Sequence, residues 1–228
     1  SSSENSIIFS PHWTAYELMS KSLGLNTKII QLKIENNWKP DFEVLKKTID
    51  SKTKLIIMNS PCNPTSRAWS ADEEKQLFEI AEKKGIVVLA DDSYRDLCFE
   101  KRAVRQFENG MFIANTFSKT FGMTGWRIGY VVVPDEMASR MVSLNQITIS
   151  NVPVFLQNAA CAAMDERDAS AKKARRLCKK RAEIAEKMLA RHMIFSKPNA
   201  GFYLFPRLSE SIDTNLFEEK LLDKSVAV

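Results

Sequence analysis

Apolar positions follow two rhythms along this chain. Short apolar runs at 7–9, 27–32, 54–58, 86–90, 111–115 and 128–133, each bounded by polar or turn-rich stretches, predict strands. Helical spacing fills several intervals between them. Residues 13–23 predict a helix with Gly24 at its C-terminal cap. Asp41 can cap a helix reaching 49, and Ser70 with Glu73 forms a capping-box pattern ahead of a helix to 84, with Gly85 after it. The run 86–90 is continuously apolar, as expected of a strand buried on both faces. This alternation predicts an α/β fold with a mostly parallel sheet sandwiched by helices. After Ser150 the rhythm changes. Residues 153–164 and 168–192 predict two helices, 201–206 a strand and 214–223 a helix, together part of a smaller α+β domain. The domain change falls within 150–191, and the chain is divided at 1–165 and 166–228. Val226-Ala227-Val228 reads as the start of a buried strand, and the first residue is not Met; both ends predict a segment of a longer protein.

Composition narrows the class. The 228 residues are 44% apolar and 27% charged, globular values in a chain large enough for its own core. The longest apolar run, 159–164, falls far short of the roughly 20 residues of a membrane helix. Residues 1–4 lack the charged start and apolar stretch of a signal peptide. The net charge of +5 is concentrated in 166–191, with ten Lys/Arg against four Asp/Glu at helical spacing. That pattern predicts a solvated helix face, with neither nucleic acid nor membrane as partner. The cysteines at 62, 98, 161 and 178 contain no Cys-x-x-Cys pair, and there are two His. A zinc site and a disulfide framework are not expected, and a reducing, cytoplasmic setting is.

Ligands of open α/β sheets bind beyond the carboxyl ends of the strands. There the sequence places Pro11-His12-Trp13, Asn59 through Thr65 with Asn63, Asp91-Asp92-Ser93-Tyr94, and Asn115-Thr116-Phe117-Ser118-Lys119-Thr120; Trp126-Arg127 stands just before the last strand. Taken singly, each is ordinary. Asn63-Pro64 is a common turn dipeptide, Trp13 a core aromatic, Asp91 a cap, Arg127 a salt-bridge partner, and Cys62 a small core residue rather than a nucleophile. Together they supply an aromatic, an amide, a carboxylate, a phenol, an amine and a guanidinium. Pyridoxal 5′-phosphate (PLP) needs that set: a lysine for its aldehyde, a carboxylate for its pyridine nitrogen, Arg and hydroxyls for its phosphate, and an aromatic face for its ring.

The stretch Ser118-Lys119-Thr-Phe-Gly-Met-Thr-Gly-Trp-Arg127-Ile-Gly-Tyr resembles the PLP-lysine signature of the class I/II aminotransferases, fold-type I enzymes similar to aspartate and aromatic aminotransferases. Pro11-His-Trp13, Asn63-Pro-Thr and Asp91-Asp-Ser-Tyr94 fall in that family's order, so the resemblance spans about 6–206. It implies that Lys119 holds PLP as an aldimine and then acts as general acid/base, and that Asp91 pairs with the pyridinium. Asn63 and Tyr94 would bond the phenolate oxygen, Trp13 would stack on the ring, and Arg127 and Thr116 would hold the phosphate. Thr116 stands where Ser is usual, Ser66 where Gly commonly follows Asn-Pro-Thr, and Asp92 where Glu is common. The implied activity is ping-pong transamination between an amino acid and a 2-oxo acid, in a homodimer. The family's substrate-carboxylate arginine and phosphate loop have no counterpart assigned here, so the segment alone is expected to be inactive. Gln146 stands where one subgroup of aspartate enzymes carries an arginine. The alternatives are a fold-type I lyase or synthase, a PLP-sensing module, or an inactive homologue.

Overall fold

The computed structural model describes residues 4–103, 105–108, 110–209 and 211–227. The chain runs β1 (Asn5–Ser10), α1 (Ala15–Ser22), β2 (Asn26–Gln31), α2 (Phe42–Thr48), β3 (Thr53–Asn59), α3 (Ala71–Lys83), β4 (Val87–Asp91), β5 (Met111–Thr116), α4 (Phe117–Thr120) and β6 (Gly129–Val132). Then follow α5 (Asp135–Ile149), α6 (Val154–Asp165), α7 (Arg167–Leu189), the two-residue β7 (Ile194–Phe195) and β8 (Pro206–Arg207), and α8 (Thr214–Asp223). The main sheet has the order β2-β1-β3-β4-β5-β6. All its pairings are parallel except β5 with β6. The expected mostly parallel α/β architecture is what the chain adopts.

Register turns the apolar runs into a core. Ile7, Ile56, Val88 and Met111 pair in one row across the sheet. They face Leu45 of α2 and Leu77, Phe78 and Ala81 of α3 in one buried cluster. Each such side chain contributes about 1.5–3 kcal/mol on full burial. The adjacent row, Ile8, Ile57 and Leu89, points to the other face, where Tyr16 of α1 packs. Cover there is thinner. Ile86, Val88 and Ala90 are buried while Val87 and Leu89 are half-buried, so the expectation that 86–90 is buried on both faces holds for one face only.

Local signals behave as their chemistry requires. The Ser70 hydroxyl accepts from Glu73 N, and the Glu73 carboxylate accepts from Ser70 N. Asp41 accepts from Glu43 N and Val44 N. The first helix starts at Ala15 rather than 13, which leaves Trp13 in the preceding turn. Helix α5 was not predicted. It buries none of its residues. Residues 201–206 do not form the expected strand. Gly201 has φ +64°, and Ala200 makes an isolated bridge to Cys98. The turn is shaped by partners in other loops rather than by a sheet. Val226 and Ala227 are not in a strand, and Val228 lies outside the described residues. Helix α7 is largely solvated, with Ala171 its buried residue.

One buried charge cluster fixes the segment after β4. Glu74 accepts from Arg95, Arg102 and Arg105, and Asp92 accepts from Arg105 Nε at 3.0 Å and Nη2 at 2.8 Å. The Glu74, Asp92 and Arg105 side chains are all nearly excluded from water. Removing one partner from such a cluster strands a buried charge. Arg105→Met is expected to destabilise the protein by about 3 kcal/mol or more in denaturant unfolding. Lys46→Met, which removes an exposed pair with Glu43, is expected to change stability by less than about 0.5 kcal/mol. Equal small effects would show that the buried cluster carries no such penalty.

Candidate functional site

A cavity of about 360 Å³ opens at the carboxyl ends of β3, β4 and β5. Parallel register sets its floor, because Asn59 at the end of β3 pairs with Asp91 at the end of β4, and Asp91 with Ala114 two residues before the end of β5. Asn59 ties two loops together. Its Nδ2 donates to Asp91 O at 3.1 Å, and its Oδ1 accepts from Asn63 N at 2.8 Å. Asp91 is held on both oxygens. Tyr16 Oη donates to Oδ2 at 2.5 Å, and Oδ1 accepts from Ser93 N at 2.9 Å and Ser93 Oγ at 2.6 Å. Burial, then the neighbouring Asp91 charge, push the Tyr16 phenol far up, so it stays a donor.

Tyr94 follows from the turn after β4. Its hydroxyl lies 3.0 Å from that of Tyr203, and its ring meets Phe202 and Tyr203 edge-on. Burial and the bond to Tyr203 push the Tyr94 phenol up, so its proton stays available for donation. Lys119, in the single turn α4, projects Nζ to 5.7 Å from the ring centres of Tyr94 and Phe202. Among the described residues Lys119 Nζ has no hydrogen-bond or ion-pair partner. It is also the only amine among the described lining residues.

The opposite wall is built from the β5–β6 hairpin. Thr116 caps α4 through Ser118 N at 3.1 Å and donates to Ser118 Oγ at 2.9 Å. Arg127 holds a left-handed backbone with φ +53°, and its Nη1 donates to Thr124 O at 2.9 Å. Gly129 permits the close pairing of the two strands, since a Cβ there would stand 2.6 Å from Asn115 O. Trp13 lies at the mouth, 47% exposed, with its ring edge-on to Tyr16 at 5.5 Å.

All seven residues singled out from sequence, Trp13, Asn63, Asp91, Tyr94, Thr116, Lys119 and Arg127, line this one cavity. Tyr16 and Tyr203 line it too and were missed; Asn59, Ser93, Ser118 and Thr124, which the sequence motifs contain without an assigned role, complete the wall. Tyr16 carried a detectable signal, since it stands one helical turn beyond Trp13. Tyr203 carried none, because 109 residues separate it from Tyr94. Cys62 is buried, and burial pushes its thiol up, in keeping with a core role. A larger cleft of about 1190 Å³ between β6, α5 and α6 has a mainly apolar wall and lacks this convergence of polar groups. The lining suits a planar, anionic ligand that reacts with an amine: a free amine, a fixed carboxylate, three phenols, two amides, a guanidinium and an open indole face.

A family profile described as Aminotransferase class I and II matches residues 2–228. An aspartate aminotransferase of Thermococcus kodakarensis is 34% identical over 222 residues, covering 97% of this chain and 58% of that protein. A probable aspartate/prephenate aminotransferase of Aquifex aeolicus is 32% identical over 223 residues, 93% of this chain and 55% of that protein. Among solved structures, an aromatic aminotransferase of Pyrococcus horikoshii superposes with a TM-score of 0.92 at 26% identity, covering 100% of this chain and 64% of the other. The chain thus spans about three fifths of the length of these relatives. With the profile matched over nearly every residue, the chain belongs to the class I and II aminotransferase family.

Proposed function

We propose that the protein containing this chain is a PLP-dependent aminotransferase that exchanges the amino group of an amino acid for the oxo group of a 2-oxo acid. The observation that carries this reading is the convergence of an unpaired Lys119 amine with Asp91, Tyr94 and Asn63 on one strand-end cavity. Bound PLP would supply an electron sink that makes an amino acid's Cα proton removable. Lys119 Nζ would anchor the cofactor covalently and then take and return that proton. Asp91, steadied by Tyr16 and Ser93, would hold the protonated ring nitrogen. Tyr94 and Asn63 would donate to the phenolate oxygen. Trp13 would cover the ring, and Arg127 with Thr116 would meet the phosphate. The relatives' names make aspartate the first donor to test.

We also propose a homodimer in a reducing, cytoplasmic setting, with the domain change between residues 165 and 166. The four cysteines, all free, are compatible with that setting, and no helix of the described chain is long and apolar enough to cross a membrane.

A half-reaction separates transamination from lyase chemistry. With aspartate and no oxo acid, the PLP-loaded protein is expected to release one equivalent of oxaloacetate per site and then stop until a 2-oxo acid is added. Continuous ammonia release from an amino acid alone would assign it to the lyases. Lys119→Ala is expected to slow the half-reaction by at least about 10³-fold. Asp91→Asn is expected to weaken PLP binding by about 10–100-fold, which a fluorescence titration would read. Near-normal turnover by the lysine variant would contradict the assignment.

A further inference from the structure

The Ser66 hydroxyl has a definite partner far along the chain. The residue is fully buried and holds a left-handed backbone with φ +53°, a conformation that favours glycine. Its Oγ accepts a hydrogen bond from Tyr203 N at 3.0 Å, and its carbonyl accepts from Asn199 N at 3.3 Å. Gly201 packs directly against it, so close that a Cβ on Gly201 would stand 2.9 Å from Ser66 Oγ. The same turn is fastened by Asn199 Oδ1, which accepts from Ala68 N at 2.7 Å, and by Gly201 N, which donates to Leu97 O at 3.0 Å. These bonds bring a residue from far along the chain onto the Asn63 loop and set the Tyr203 hydroxyl against that of Tyr94.

Two hydroxyls in contact share one proton in their bond. If Tyr94 spends its proton on a cofactor oxygen, Tyr203 must donate to Tyr94 Oη. We propose that Tyr203, held by the Ser66 hydroxyl, is a positioning residue that donates to Tyr94 Oη, orients the Tyr94 hydroxyl toward the cofactor's phenolate oxygen and strengthens it as a donor. This inference rests on the PLP reading above. Hydrogen bonds in a chain polarise one another, and more so in a partly water-excluded site. The other groups facing Tyr94 are Asp91 from β4, Lys119 from α4 and the Asn63 amide, and the Tyr203 variant leaves all three in place.

The readout is the pH midpoint of the visible absorbance of bound PLP. A phenolate that loses hydrogen-bond donation becomes more basic and keeps the proton it shares with the lysine nitrogen to higher pH. Tyr203→Phe preserves the ring contacts with Tyr94 and Phe202 and removes one hydroxyl. It is expected to raise the midpoint by about half a pH unit, the scale of one neutral hydrogen bond. Ser66→Ala is expected to move it the same way, and Tyr94→Phe to move it furthest. PLP affinity of Tyr203→Phe is expected to stay within about threefold of the parent, because the ring contacts remain. An unmoved midpoint in Tyr203→Phe, with a clear rise in Tyr94→Phe, would overturn the inference and leave the PLP reading standing. A parent protein without a pH-dependent visible band on PLP addition would overturn the PLP reading, and this inference with it.

Discussion

The parallel register of β3, β4 and β5 is the constraint on which the rest depends. It sets Asn59, Asp91 and Ala114 at the same level, with the loops after β3 and β4 leaving from that line and β5 reaching Thr116 just beyond it. A slip of one residue would exchange the two faces of the sheet, moving Val88 and Ala90 out of the core and turning Asp91 away from Tyr16. The buried row of Ile7, Ile56, Val88 and Met111 opposes such a slip. Core packing and site geometry are therefore enforced by the same pairing.

Around that line the molecule concentrates its less favourable features. Ser66 and Arg127 both hold left-handed backbone, at about 1–2 kcal/mol each for a residue with a side chain. Glu74, Asp92 and Arg105 are withdrawn from water just behind the Asp91 turn. Such features persist where surrounding contacts over-determine the geometry. Here those contacts converge on the loops that carry Asn63, Asp91 and Tyr94. The Asp92 position, beside the Asp91 carboxylate, is pinned by Arg105, from a segment none of whose described residues lines the cavity.

Much of this was legible in the sequence, for physical reasons. Strands packed against α2 and α3 show as short apolar runs, and caps such as Ser70 with Glu73 act locally, so both can be read from a short window. Trp13, Asn63, Asp91, Tyr94 and Lys119 were found because strand ends are where such a fold places its chemistry. What could not be read depends on contacts between distant segments. Helix α5, which buries none of its residues, was not read from the sequence. The 201–206 segment has an extended-looking sequence, but its shape is set by Ser66, Ala68 and Leu97. The bond from Tyr203 to Tyr94 and the one from Tyr16 to Asp91 belong to the same class.

The central claim is that the strand-end cavity binds PLP through Lys119. Borohydride reduction of the PLP-loaded protein, followed by peptide mapping, tests it most directly. The account predicts a visible band that reduction abolishes, with the pyridoxyl label on Lys119. A label on another lysine, or no band at all, would contradict it.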